Sequence, residues 1–278
     1  MQTILLQILG LAILAAGVAA CWLRWRGAAG PATFTVILTL VGGLAGAPFW
    51  WMDYPASFSW DLPPLASRML AAAGLAFGVG GILVLEHPSV PRTRAYLAML
   101  ATYLAPLVAA IVIFHLDRFD WRAPITYAFF AIAAGLTVAS FWHLLNGPRA
   151  VAAGSVPSPA QRALFTVIAT LAALWGLALY ILPAGPLAFI WIWPADALSG
   201  RLIGTMLLTI AVLAFLARNS RDLASPALVI LAVYGLGAAM AGAMNLAAGK
   251  PLPVAYVAAL GAMAIAAAIL RLMRPAAV

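Results

Sequence analysis

Charge is scarce in this chain: 15 Lys and Arg and 7 Asp and Glu among 278 residues make 8%, where a soluble domain carries roughly 25%. One cysteine, Cys21, excludes a disulfide framework, a thiolate zinc site and a cysteine-ligated iron–sulfur cluster. The sequence has no P-loop, no G-x-S-x-G and no H-E-x-x-H. What remains is apolar: 66% of the residues are hydrophobic and the mean hydropathy is +1.07. Sustained over this length, that leaves an all-α, polytopic membrane protein. A net charge of +8 would suggest nucleic acid as the partner of a soluble protein. Here the charges sit in short stretches between apolar runs, so membrane topology accounts for them, and membrane lipids are the expected surroundings.

Crossing roughly 30 Å of hydrocarbon takes about 20 apolar residues as a helix. Nine stretches qualify: 3–23, 31–49, 66–86, 95–115, 124–145, 163–182, 199–217, 226–247 and 254–273. All belong to one transmembrane domain, 1–278. Helices are expected because a helix satisfies its backbone groups within itself. Counting alternate connections, one side holds Arg24, Arg26, Arg92, Arg94, Arg149, Arg162, Arg218, Arg221, Arg271 and Arg274 against only Glu86 and Asp222. The other holds Arg68, Arg118, Arg122, Arg201 and Lys250 against Asp53, Asp61, Asp117, Asp120 and Asp196, which balance. The positive-inside rule then predicts the N-terminus outside and the C-terminus cytoplasmic. Val18-Ala19-Ala20-Cys21 imitates a lipoprotein cleavage box. Yet no positive charge precedes the apolar run and Arg24 and Arg26 follow it, which points to an uncleaved first helix.

Three segments match F-x-W-x-x-P: Phe58 to Pro63, Phe119 to Pro124 and Phe189 to Pro194. With 12 Phe, 10 Trp and 19 Pro, chance would supply roughly 0.03 matches, so duplication is expected. Each copy precedes a span on the charge-balanced side, and a glycine follows each proline at similar distance: Gly74, Gly135 and Gly204. Pro124-Ile-Thr-Tyr127 is echoed by Pro253-Val-Ala-Tyr256. The expected plan is a leading helix, 3–23, and parallel helical hairpins at 31–86, 95–145 and 163–217, with a degenerate fourth at 226–273. Parallel repeats differ from the inverted pairs of many secondary transporters. Proline suits a helix start, and Trp and Phe suit the headgroup level, so interfacial anchoring is the simplest role for the motif. The alternatives are a roof over the bundle and an aromatic shelf for a ligand or partner, formed by Phe58, Trp60, Arg68, Phe119, Trp121, Arg122, Phe189, Trp191 and Arg201.

The run Phe58-Ser-Trp60-Asp-Leu-Pro63-Pro64-Leu-Ala66-Ser-Arg68 resembles a motif of bacterial multi-pass membrane proteins: a Trp, one or two prolines, then a helix start of small residues. The resemblance covers a short stretch of each repeat and departs from the pattern in the second copy. It implies a polytopic protein of the bacterial inner membrane; that family has no assigned activity and transfers no catalytic residue.

Ionisable groups inside spans mark transport or proton relay, and almost none exist here. Glu86 sits at a span end beside His87, and Arg68 and Arg201 lie near helix starts where they can snorkel. A haem needs two axial ligands at comparable depth; His87 and His143 are the only such pair, and a weak one, so no cofactor is indicated. Asp117 and Asp120, three apart, could hold a magnesium diphosphate, but with Arg118 and Arg122 a salt-bridged turn is simpler. Gly42/Gly46 and Gly74/Gly78 are expected to let helices approach closely. The resulting expectation is a non-catalytic accessory or interaction subunit of a membrane complex, with other membrane subunits as partners. A channel or carrier for a lipophilic or neutral solute is the alternative. A lipid-modifying enzyme using Asp117, Asp120 and Arg122 is the third possibility.

Overall fold

The computed structural model describes residues 2–58, 60, 62–149, 155–183 and 196–273. Within these it is all-helical, with nine helices long and apolar enough to cross a membrane: α1 (Gln2–Trp25), α2 (Thr33–Trp51), α3 (Pro64–Glu86), α4 (Val90–Phe114), α5 (Pro124–Asn146), α6 (Pro159–Ile181), α7 (Ala197–Ala217), α8 (Arg221–Ala247) and α9 (Val254–Leu272). Their starts follow from local chemistry. Pro64, Pro124 and Pro159 occupy first-turn positions, where a missing N–H costs nothing. Ser89 caps α4 by accepting from the Arg92 N–H, and Ser158 forms a reciprocal capping box with Gln161 on α6. Such caps explain why α4 and α6 begin about a turn before the apolar runs: hydropathy does not register a polar first turn.

The bundle has two layers. Inner helices α3, α4, α7 and α8 are each backed by an outer one, α2 on α3, α5 on α4, α6 on α7 and α9 on α8. The inner ring closes chiefly through α3 against α8 and α4 against α7. α3 and α7 are the most deeply buried, whereas α1 lies outside both layers on α2 and α5, with none of its apolar window buried. Every pairing within α2–α9 recurs when four is added to, or subtracted from, both helix numbers: α2 with α3 as α6 with α7, α3 with α8 as α7 with α4, α2 with α5 as α6 with α9.

Close approach occurs where side chains vanish. A Cβ on Gly74 would stand 2.9 Å from the Gly43 carbonyl oxygen, and one on Gly43 would collide with the Gly74 carbonyl. At the α6–α7 crossing, a Cβ on Gly176 would stand 2.8 Å from the Gly204 oxygen and one on Gly204 2.9 Å from the Gly176 oxygen. Gly78 also lies in the α2–α3 contact, under Leu44. Two expected positions differ. Gly42 faces open space, so the contact runs through its neighbour Gly43, and Gly46 lies against the ring of Trp50 on its own helix. Gly135 meets nothing within 4 Å, because α5 is an outer helix.

Contacts between connections show which helix ends lie together. Trp60 meets Phe119 at 4.8 Å, and Arg201 meets His115 at 2.6 Å, joining the starts of α3 and α7 to the end of α4. At the opposite end Arg24 pairs with Glu86 at 3.0 Å and Arg92 with Asp222 at 2.7 Å. There too the Arg94 Nη1 donates to the Pro148 oxygen at 3.2 Å, and the Arg221 N–H to the Ser155 oxygen at 3.1 Å.

Adjacent glycines should therefore behave oppositely. Gly43→Ala, which drives a methyl into the Gly74 carbonyl, is expected to destabilise by about 1–3 kcal/mol. Gly42→Ala should be neutral or slightly stabilising. Thermal denaturation of both variants in detergent checks this; equal melting temperatures would contradict the crossing geometry.

Candidate functional site

The sequence motifs converge at the charge-balanced end. Phe58 and Trp60, between α2 and α3, meet Phe119 and Trp121, between α4 and α5. Ring centroids lie 4.3 Å apart for Phe58–Trp60, 4.8 Å for Trp60–Phe119 and 5.4 Å for Trp60–Phe129. Trp121 stacks on Phe130 at 5.2 Å, and Phe130 lies 5.1 Å from Phe119. Trp50 closes the other side, 5.9 Å from Phe58. Trp60 is 8% exposed and Phe119 5%, so these rings form a roof packed on itself; of the four, only Trp121, 44% exposed, reaches outward as a headgroup anchor would. The Trp60 Nε1–H is buried with no hydrogen-bond partner among the described residues, surrounded by aromatic rings. Phe129 and Phe130 complete the cluster although the motif does not include them. Their signal is an aromatic pair less than two turns after Pro124, where a helix starting there points back at the loop. Phe189, Trp191 and Pro194 of the third copy lie outside the described residues.

The polar members are held by the chain's own backbone. Arg68 Nε donates to the Trp51 carbonyl at 3.3 Å, and Ser67 Oγ, which sequence reasoning missed, donates to the Trp50 carbonyl at 2.7 Å. Together they satisfy carbonyls left open by the end of α2. Asp196 caps α7, its Oδ1 accepting from the Leu198 and Ser199 N–H groups at 3.0 and 3.1 Å. Asp120 accepts the Arg122 N–H at 2.9 Å, while its carbonyl accepts Thr126 Oγ1 at 2.6 Å. Tyr127 donates to the Trp121 carbonyl at 2.9 Å. Asp117 lies in a short turn, Leu116–Arg118. The expected salt bridges of this turn do not form: among the described residues both ion pairs are at the other end. An exposed pair is worth roughly 0–1 kcal/mol, so backbone hydrogen bonds available within a few residues win.

Arg201 and His115 form a cross-helix polar contact that joins α7 to the end of α4. Arg201 Nη1 lies 2.6 Å from His115 Nε2, with its guanidinium 4.6 Å over the Phe114 ring. The donor is a cation, so Nε2 must be the unprotonated acceptor and His115 neutral. Burial first, then the Arg201 charge, holds His115 below its usual 6.5. Arg118 acts in the same sense, Asp196 and Asp117 against it.

The remaining candidates stay apart. His87 caps the end of α3 and gives its carbonyl to Arg92 Nη1 at 3.0 Å, while His143 lies in the last turn of α5; among the described residues no hydrogen bond or ring contact joins them. Asp117 and Asp120 belong to no group of three or more His, Cys, Asp or Glu side chains able to hold a metal ion among the described residues. No family model, curated protein or solved structure matches the chain.

A depressed histidine pKa fixes a sign. Above 6.5 both folded and unfolded chains hold this imidazole neutral and the Arg201 bond is intact; as pH falls below 6.5 the unfolded chain takes the proton first, so stability drops. His115→Gln keeps an acceptor for Arg201 without the titration. Melting temperature followed from about pH 7.5 to about pH 5 should fall more steeply for the parent chain than for this variant; parallel curves would refute the assignment.

Proposed function

We propose that this chain is a non-catalytic accessory subunit of a membrane complex in the bacterial cytoplasmic membrane, acting through helix–helix contacts. The nine apolar helices fit a multi-pass membrane protein. The observation carrying the functional reading is the closed roof: Trp60 and Phe119 turn onto each other, and Arg68, Asp120 and Asp196 are engaged by backbone groups. Meanwhile α1, α5, α6 and α9 expose long apolar faces sideways, among them Leu9, Val138, Leu174 and Ile265. Side chains committed to holding helix ends have little left for turnover, whereas lateral apolar faces suit association within a bilayer.

The same reading makes α2–α5 and α6–α9 two copies of a four-helix unit, each built of two hairpins. The recurring pairings support it, as do the paired glycine crossings. Tyr103 and Tyr234 also stand at the same distance beyond Ser89 and Ser220, the residues before α4 and α8. Those two tyrosines, both buried within the bundle, are the observation favouring the alternative, a carrier for a neutral solute. The two readings differ in whether the chain works alone. Extracted in mild detergent, an accessory subunit should migrate well above its 29.0 kDa with a stoichiometric companion whose level falls when the chain is deleted; a monodisperse chain with no companion favours the carrier.

In the proposed orientation the aromatic roof faces outward and the arginine-rich end the cytoplasm. With Cys21 replaced by serine, a cysteine at Met52 should react with an impermeant maleimide in intact cells. One at Arg149 should react only after permeabilisation. The reverse pattern would invert the topology.

A further inference from the structure

The two four-helix halves present equivalent grooves, and among the described residues only one is filled. α1 lies along the groove between α2 and α5. A Cβ on Gly17 would stand 2.8 Å from Val41 Cγ1, and Trp22 meets Phe34 edge-on at 6.2 Å. Under this cover Val41 is 8% exposed and Leu38 half-buried. The counterpart groove lies between α6 and α9, which pack together as α2 and α5 do. Setting Gly176 on Gly43, the equivalent crossing glycines, places Val167, Leu171 and Leu174 where Phe34, Leu38 and Val41 stand. All three are exposed, Leu174 at 64%. The second half thus repeats an apolar seat for a helix that this chain supplies only once.

Charge at the arginine-rich end says what sort of helix would fit. In the filled groove the seated helix brings the cation: Arg24 and the Trp25 Nε1–H both bind Glu86, at 3.0 and 3.1 Å. Around the open groove the polarity is reversed. Arg162 in the first turn of α6 and Arg271 in the last turn of α9 are exposed at that end, and Arg218 caps the end of α7, where α3 ends in Glu86 and His87. None of the three forms an ion pair among the described residues. A second copy's α1 would bring Arg24 and Arg26 against these arginines, so self-association through this groove is disfavoured.

We propose that the α6–α9 groove is the docking site for one transmembrane helix of a different membrane protein, apolar along its length and carrying a carboxylate at its arginine-rich-side end. The proposal rests on the accessory-subunit reading and makes it specific. The test is photocrosslinking in the native membrane, with p-benzoylphenylalanine placed at Leu171 or Leu174 of the full chain, and at Val138 on α5 for comparison. Both groove positions should capture the same foreign polypeptide, its linked peptide an apolar helix ending in Asp or Glu on that side. The double variant Arg162→Glu with Arg271→Glu should lower the yield about fivefold or more at unchanged abundance of the chain. Lipid adducts alone, adducts with a second copy, a captured helix without the carboxylate, or a yield indifferent to charge reversal would each overturn the groove assignment. Protein adducts from Val138 but not from the groove would leave the accessory reading standing. Lipid adducts at all three positions would remove both.

Discussion

Backbone contact between helices is the constraint on which the rest of this structure depends. Lipid tails are as apolar as leucine, so helices in a bilayer gain little from burying side chains against each other. Close packing and a few polar bonds must do the work instead. Here the inner helices α3 and α7 come into contact with their outer partners at Gly43–Gly74 and Gly176–Gly204, where peptide meets peptide. At these points α2 meets α3 and α6 meets α7 with no side chain between them. The Gly43–Gly74 crossing brings the end of α2 and the start of α3 together, and from the connection between them the rings of Phe58 and Trp60 pack on each other and on Phe119.

Polar chemistry is divided between the two ends by distance along the chain. At the roof the acids find backbone partners nearby, as Asp196 does at the start of α7 and Asp120 with Arg122, while Arg201 crosses to another helix end, at His115. At the arginine-rich end they work across the bundle. Arg92 reaches from α4 to Asp222 on α8, and Ser89 donates to the same carboxylate at 2.5 Å, tying two helix starts that face each other across the centre. Arg24 and Glu86 fasten the otherwise loosely held α1. Salt bridges here act as clasps between elements whose apolar faces alone would slide. That is how a chain with only 7 acids can still fix its helix ends.

The spans were legible in the sequence because hydrocarbon imposes a length that any apolar run must meet, and all nine expected stretches fall on helices of the structure. The proline start was legible at Pro124, whereas in the first copy the motif's Pro63 is the residue before α3 and its neighbour Pro64 takes the first turn. Choosing Gly43 over Gly42 was not: both are glycines, and only the azimuth at which α2 meets α3 decides between them. Nor was the burial of Trp60, since an F-x-W-x-x-P segment serves equally as an anchor at the headgroups or as a wedge between loops, and the partner Phe129 lies far along the chain. The Arg201–His115 contact joins residues 86 apart with no pattern linking them. Asp117 and Arg118 form no ion pair among the described residues: sequence proximity of opposite charges says nothing of competing backbone acceptors.

Periodicity tells more than the motif did. F-x-W-x-x-P marks individual hairpins, but the helix pairings repeat only every four helices, because α3 and α7 are the second helices of their hairpins while α4 and α8 are the first of theirs. Inner and outer roles therefore alternate between successive hairpins, and two hairpins are needed before the pattern returns. In the proposed reading of two four-helix units, an even number of helices returns the chain to the side where it began, so the units would share one orientation, unlike inverted repeats. The ninth helix cannot belong to that symmetry. Placed on one half alone, α1 makes the two halves different on their outer surfaces, and it is this difference that gives a bundle with recurring helix pairings two distinguishable flanks.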